Sequence, residues 1–348
     1  MPSPAWLLVP YLLTVLGGWG LRLLNLRHLI AMGPSVPAEF TPYVETATLE
    51  KSTAYAIAQN RYGLVEDGVS TALLVLFVFA GLLGQYDRWL ASLGAGFIGS
   101  GLLFFSGLFL VESLGSIPFS LYHTFVLERR FGFSTTTVGL WLSDLVKGAL
   151  LSLLLGGGLL AAVLALVSWQ PQHWWLWVWG MLAMVTLLLM YLSPVLIEPL
   201  FNTYQPVADP ELETAIRATM IRAGLRVSAV LQVDASRRSR HSNAYFTGIG
   251  RVKRIVLYDT LLQQLTREEI VAVLAHEVGH WRLGHIRKRL VLSEMAVGLA
   301  AYGAYRLLAW GGLPSLAGAA ELSFAAKLVV LGIVGSVLGA LLTPLSAW

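Results

Sequence analysis

Long apolar stretches separated by shorter polar segments dominate the pattern of this chain. A helix needs about 20 mostly apolar residues to cross the hydrocarbon core of a bilayer. Seven stretches approach or exceed that length, namely residues 6–24, 69–85, 89–118, 140–167, 174–197, 290–310 and 324–345. The pattern therefore predicts an α-helical multi-pass membrane protein with seven transmembrane helices. The third and fourth stretches exceed a perpendicular span, so we expect them to tilt or to project into water.

The two longest polar segments predict different structures. Residues 25–67 follow the first apolar stretch and are long enough for one or two helices that lie on the membrane. Residues 201–289 combine helical and strand periodicity, which is typical of a small folded α+β module. We therefore expect membrane helices over 1–200, this module over 201–289, and two further membrane helices over 290–348.

Within the module, helical periodicity ends at the pair Gly224 and Leu225, and three short strand-like runs follow. The sequence predicts a helix over 211–223 and strands over 229–233, 243–247 and 254–258. A turn that contains Gly248 and Gly250 is expected to join the last two strands.

A second helix is predicted after the third strand. Thr266 is followed three residues later by Glu269, which is the pattern of a capping box, and apolar residues recur along one side of the segment. This segment reads H-E-V-G-H at residues 276–280. Because residues four apart share a helix face, His276 and His280 can hold one Zn²⁺ ion between them.

The glutamate between the two histidines completes the chemistry of a zinc peptidase. Glu277 lies beside the ligands, where a carboxylate can act as general base toward the attacking water. The alternative is that this spacing arose by chance on a buried helix. The independent signals for the helix favour zinc chemistry.

The composition agrees with a membrane protein and excludes several other kinds of catalytic site. Hydrophobic residues make up 56% of the chain, charged residues make up 13%, and the mean hydropathy is +0.68. The sequence contains no cysteine, which excludes disulfides, thiol nucleophiles and cysteine-bound metals. It also lacks the G-x-S-x-G motif that often carries a serine nucleophile.

Lysine and arginine are concentrated on one side of the predicted topology. Most lie in the connections after the first, third and fifth stretches, and Arg287, Lys288 and Arg289 adjoin the sixth. Because basic loops stay in the cytoplasm, we expect the zinc motif on the cytoplasmic face of a bacterial inner membrane or of the endoplasmic reticulum. Basic residues beside a membrane helix face anionic headgroups, so the pI near 9.3 requires no nucleic-acid partner.

Several further motifs occur in a fixed order around the zinc motif. R-S-R-H-S-N-A-Y-F-T-G at 238–248 and R-I-V-L-Y-D-T-L at 254–261 precede it. F-V-L-E-R-R-F-G-F-S-T-T-T at 125–137 and I-E-P-L-F-N at 197–202 lie upstream of both. Together these motifs resemble the type I CAAX prenyl endopeptidases, which are integral-membrane zinc proteases. The resemblance extends over nearly the whole chain.

The resemblance implies a ring of seven helices around a water-filled chamber and removal of the C-terminal tripeptide from prenylated proteins. The expected partners are peptides or prenylated C-termini and the lipid bilayer. Asn243, Ala244, Tyr245 and Phe246 correspond to the strand that pairs with substrate backbone, and pairing with a strand edge is tolerant of sequence. The alternative is an ordinary edge strand that packs Tyr245 and Phe246 in a core.

The third zinc ligand departs from the family pattern. In the family it is a glutamate in an E-x-x-x-D motif beyond the seventh helix, and the sequence ends at Trp348 before such a motif. We therefore expect a member that lacks this C-terminal segment. A catalytic zinc normally has three protein ligands, and Glu294 in the sixth predicted helix is the internal candidate. His285 follows His280 at a spacing that points it off the ligand face, which favours a supporting role.

Two other functions remain open at this point. One is a membrane zinc protease of the same clan that degrades damaged membrane proteins. The other is a non-catalytic membrane scaffold, which the unassigned third ligand would permit. Zinc stoichiometry and peptide cleavage distinguish these alternatives.

Overall fold

Helices account for most of the structure, a computed structural model that describes residues 2–33, 35, 45–247 and 252–346. In chain order the principal helices are α1 (Ala5–Met32), α2 (Thr46–Phe79), α3 (Leu82–Ser92), α4 (Gly96–Arg130), α5 (Val138–Trp169), α6 (Trp174–Leu200), α7 (Pro210–Arg222), α8 (Asp259–Gln264), α9 (Arg267–Arg282), α10 (His285–Leu308) and α11 (Phe324–Ser346). The strands are β1 (Tyr204–Pro206), β2 (Arg226–Val233), β3 (Ala244–Thr247) and β4 (Val252–Tyr258). The turn predicted at Gly248 and Gly250 lies outside the described residues.

Among the described residues, six helices are long and apolar enough to cross a membrane: α1, α2, α4, α5, α6 and α11. The sixth predicted span is present as helix α10, with Glu294 and Arg306 inside it. These two charged side chains lower its hydropathy, so α10 is not among the six.

Two predicted span boundaries are wrong, and glycine is the reason for both. Helix α2 stops at Phe79 because Gly81 has a φ of 84°, a left-handed conformation that only glycine adopts without strain. The apolar pattern predicts that this span continues to residue 85. In the same way, Gly94 (φ 65°) and Gly96 (φ 69°) separate α3 from α4, where the prediction began the third span at residue 89.

The polar segment 25–67 does not form separate surface helices over its described part. Helix α1 continues to Met32, and α2 already begins at Thr46. Adding residues to an existing helix is easier than nucleating a new one, so both membrane helices extend through polar sequence. An ion pair of 2.8 Å between Arg22 Nη1 and Asp67 Oδ2 joins the two helices there.

The first of two compact units comprises Met1–His123, Gly157–Pro171 and Gly303–Trp348. Helices α4 and α5 approach closely within it at Gly101, where an added Cβ would lie 2.6 Å from Leu164 Cδ1. Its buried core brings together apolar side chains of α1, α2, α3, α4 and α11, including Leu7, Val78, Leu83, Phe104 and Val330.

The second unit comprises Thr124–Gly156 and Gln172–Tyr302 and contains the sheet. The strand order is β1-β2-β4-β3, with β2 parallel to β4 and the outer strands antiparallel to their neighbours. Helices α7 and α9 cover one face of this sheet. Their shared core includes Ile216, Met220, Ile255, Leu257, Ile270 and Leu274.

The predicted elements of this module are present, together with strand β1 and the short helix α8, which the sequence pattern does not predict. Helix α7 has Asp209 as its N-cap and ends before Gly224, whose φ is 78°. The capping box of Thr266 and Glu269 is formed at the start of α9. Strand β1 was missed, because a three-residue strand that ends in Pro206 has no periodicity to detect.

Candidate active site

Helix α9 presents the H-E-x-x-H motif on the side opposite its core contacts. Ile270, Leu274 and Val278 recur every four residues and are buried against the sheet. His276 and His280 are exposed. The amphipathic pattern that packs α9 therefore also turns both imidazoles outward.

The two imidazoles are spaced for a single metal ion. His276 Nε2 and His280 Nε2 lie 3.3 Å apart, with ring planes at 78°. Two nitrogens about 2.0–2.1 Å from a tetrahedral zinc would be separated by roughly 3.4 Å. The donor set and its geometry therefore fit zinc.

His285 contacts His280 from the other side of the ring. The two Nδ1 atoms are 2.9 Å apart, a hydrogen-bond distance. His280 thus faces His276 through Nε2 and His285 through Nδ1. His285 is the first residue of α10 and follows Gly284, whose φ of 68° allows the turn between the helices.

Glu294 is not brought to the histidine pair. At about 1.5 Å per residue, it lies roughly 14 Å along α10 from His285. Its carbonyl accepts a 2.9 Å hydrogen bond from Trp179 Nε1, and its Oε2 is buried without a hydrogen-bond partner in the described structure. Within residues 2–33, 35, 45–247 and 252–346, no group of three or more His, Cys, Asp or Glu could hold a metal.

Among the described strands, β3 lies at one edge of the sheet and leaves that edge open. Asn243 and Tyr258 form a hydrogen-bonded pair, since the Tyr258 N–H donates to the Asn243 carbonyl at 3.0 Å. Such pairs alternate along an antiparallel ladder, so the N–H and C=O groups of Ala244 and Phe246 point away from β4. The Ala244 N–H donates to Asn243 Oδ1 at 2.8 Å, which agrees with that direction.

The opposite edge of the sheet, formed by β1, is less able to pair with a further strand. The Val207 N–H donates to the Val230 carbonyl at 3.2 Å. By the same alternation, the backbone groups of Tyr204 and Pro206 point away from β2. Proline has no N–H to offer a further strand, and edge prolines prevent pairing. Backbone pairing with a peptide is therefore more favourable at β3 than at β1.

The side chains of β3 divide between the two faces of the sheet. Ala244 and Phe246 pack against the core shared with α7 and α9. Tyr245 lies on the other face, where its hydroxyl donates to Glu198 Oε2 at 2.8 Å, and the Tyr204 hydroxyl donates to the same oxygen at 2.9 Å. Burial, together with Glu198 and the neighbouring phenol, raises the pKa of Tyr245 well above its usual range. The Tyr245 phenol therefore stays protonated as a donor.

Comparisons with known proteins agree with this architecture. The family described as CAAX prenyl protease N-terminal, five membrane helices, matches residues 25–203, and peptidase family M48 matches residues 206–346. A CAAX prenyl protease 1 homolog of Arabidopsis thaliana is 35% identical over 82% of this chain and 69% of its own length. CAAX prenyl protease 1 of Saccharomyces cerevisiae is 33% identical over 75% of this chain and 60% of its own length.

A solved structure resembles the chain along its length. The crystal structure of S. mikatae Ste24p matches with a TM-score of 0.86 and 28% sequence identity, covering 99% of this chain and 83% of that one. The prediction of a multi-pass helical membrane fold is confirmed by this match and by the helices described above.

Proposed function

Because this chain belongs to peptidase family M48 and is a membrane metalloprotease, we propose that it removes the C-terminal tripeptide from prenylated proteins in a zinc-dependent reaction. The observation that supports this most directly is the 3.3 Å pair of imidazole nitrogens on α9, in a module whose sheet has one open edge. The relatives named above are CAAX prenyl proteases, which suggests the prenylated C-terminus as the substrate class.

Each residue of the site has a proposed role. His276 and His280 would hold zinc, which when bound would polarise the attacking water and the peptide carbonyl. Glu277 takes the proton from that water and delivers it to the leaving amine. Asn243, Ala244, Tyr245 and Phe246 offer the β3 edge to the extended peptide. The described residues thus supply two of the three protein ligands that a catalytic zinc normally has.

The proposed organisation places residues 201–289 as a catalytic module between membrane helices over 1–200 and 290–348. Basic residues near the membrane, including Arg287 and Arg289, are exposed and suit a cytoplasmic face rich in anionic lipid. The lipid bilayer would then hold the prenyl group of the substrate while the module receives its peptide.

The test compares Glu277→Gln with Glu268→Gln, an exposed glutamate in the first turn of the same helix. A farnesylated Cys-a-a-X peptide and its unprenylated counterpart serve as substrates in reconstituted bilayers. We expect Glu277→Gln to retain zinc but to lower kcat by roughly 10²–10⁴-fold, because an amide cannot take up the proton. Glu268→Gln should match the unmodified protein.

The remaining outcomes identify the alternatives. Equal cleavage of damaged or unprenylated membrane proteins would favour a quality-control protease. Stoichiometric zinc without cleavage of any peptide would favour a scaffold. Activity within a few-fold of normal in Glu277→Gln would contradict the role of Glu277 as general base.

A further inference from the structure

Three acidic residues from different membrane helices contact the segment that leads into β3 and the strand itself. Arg238 meets Asp144 of α5, His241 meets Glu128 of α4, and Tyr245 meets Glu198 of α6. All six residues belong to the same compact unit. The three carboxylates, Glu128, Asp144 and Glu198, are called the acidic anchor below.

The contact with Asp144 is the strongest of the three. Arg238 Nε donates to Asp144 Oδ2 at 2.7 Å, and Arg238 Nη2 donates to Asp144 Oδ1 at 2.9 Å. The same guanidinium also donates to Asn202 Oδ1 at 3.0 Å and to the Phe201 carbonyl at 2.7 Å. Only about a quarter of either charged side chain is exposed, and a bidentate pair of this kind fixes geometry as well as charge.

The contact with Glu128 is supported by the loop that follows α4. His241 Nε2 lies 3.2 Å from Glu128 Oε2, and the carboxylate side chain is only 11% exposed. The His241 ring stacks on Phe133 at 4.3 Å. Thr136 Oγ1 donates to the Arg238 carbonyl at 2.9 Å, and the Arg240 N–H donates to the Phe133 carbonyl at 2.8 Å.

The third contact reaches the strand itself. Glu198 accepts hydrogen bonds from Tyr245 and Tyr204, which ties the two outer strands of the sheet to the end of α6. Strand β3 needs this support because within the sheet it has one neighbour, β4.

We propose that the acidic anchor positions the open edge of β3 for peptide binding, so that Glu128, Asp144 and Glu198 are positioning residues for the reaction. This proposal rests on the proposed function, in which β3 receives the substrate backbone. A peptide that pairs with an edge must align with the zinc ligands of α9, and a displacement of about 1 Å in a catalytic site can cost 10²-fold in rate. None of the three carboxylates would contact the reacting atoms.

The experiment uses the full protein in detergent or bilayers and two readouts. The first is the KM and kcat for the farnesylated peptide, and the second is hydrogen exchange of residues 243–247. We expect Asp144→Asn to raise KM about tenfold with kcat within about twofold, because a charge-assisted hydrogen bond is lost. Exchange in β3 should rise while exchange in α9 and zinc content stay unchanged.

Two further variants separate positioning from misfolding. Asp144→Asn combined with Arg238→Gln restores a neutral hydrogen-bonding pair and should recover at least part of the KM. Asp67→Asn is the matched control, since Asp67 pairs with Arg22 between α1 and α2, and it should leave both readouts unchanged.

The outcomes are distinguishable. If the unmodified protein does not cleave the peptide, the proposed function fails. Hydrogen exchange in Asp144→Asn still tests the acidic anchor in that case, because faster exchange in β3 supports it and unchanged exchange overturns it. If it cleaves, an unchanged KM together with unchanged β3 exchange in Asp144→Asn overturns the proposal. Equal loss of zinc, kcat and α9 protection would show a general folding role and overturn it as well.

Discussion

His280 uses both nitrogens of its imidazole. Its Nε2 faces His276 at 3.3 Å, and its Nδ1 lies 2.9 Å from His285 Nδ1. A histidine that binds metal through one nitrogen is usually oriented by a hydrogen bond at the other. We therefore propose that His285 holds the His280 ring in the orientation that zinc binding at the proposed site requires.

We predict that His285→Ala weakens zinc binding by about 10–100-fold, since loss of such a supporting partner typically has that effect. His285→Asn should recover part of the affinity, because its carbonyl can accept the same hydrogen bond. Competition with a chelator measures the affinity, and the absorption spectrum of the cobalt-substituted protein reports ligand geometry.

His173→Ala serves as the control, because His173 is the residue before α6 and makes no side-chain cap there. Equal zinc affinity in His285→Ala and His173→Ala would contradict the supporting role.

Among the elements, β3 differs from β1 in what its free edge offers. Ala244 and Phe246 direct their backbone groups outward, whereas β1 places Pro206 at an outward position. A strand edge with unpaired groups is open to addition of another strand. The sheet therefore has one edge suited to a peptide.

Ala244→Pro tests this edge. Proline removes an outward N–H and its local hydrogen bond to Asn243 Oδ1 but no hydrogen bond to β4. We therefore expect the fold to persist while peptide affinity falls about fivefold to tenfold, near the net effect of one hydrogen bond. Ala244→Val keeps the N–H and should bind as before. Binding of an uncleaved substrate analogue measures the effect, and equal affinity for both variants would argue against edge pairing.

At the scale of the whole molecule, the distribution of basic residues predicts the orientation in the membrane. The absence of cysteine makes single-cysteine labelling free of background. Arg237, whose side chain is 52% exposed, is a suitable site for a label. Gln172 is exposed between α5 and α6, on the predicted opposite side.

We predict that a membrane-impermeant maleimide labels Arg237→Cys only after the membrane is opened, because the basic residues predict that the module faces the cytoplasm. It should label Gln172→Cys in intact cells. The reverse pattern would show the opposite orientation.

The local sequence pattern is sufficient to predict many of the helices and strands of this protein. The apolar stretches predict the membrane helices because the thickness of the bilayer sets the length of a span, and a run of apolar residues of that length can be seen in the sequence alone. The capping box at Thr266 and the four-residue spacing of His276 and His280 predict the helix of the proposed zinc site, since both depend on neighbours along one helix. The supporting role that the spacing favours for His285 stays a prediction, because His285 begins α10 and does not continue α9.

The tertiary structure decided what depends on residues far apart in the chain. Asp144 and Arg238 are separated by 94 positions, and no periodicity connects a carboxylate in α5 with a guanidinium before β3. The same holds for Glu128 with His241 and for Glu198 with Tyr245. Periodicity predicts the strand, but its place at the open edge follows from β4 lying between β2 and β3, an order that requires the parallel pairing of β2 and β4, which are not consecutive in the chain. Span boundaries likewise depended on which glycines adopt a left-handed backbone, because a glycine can also continue a helix.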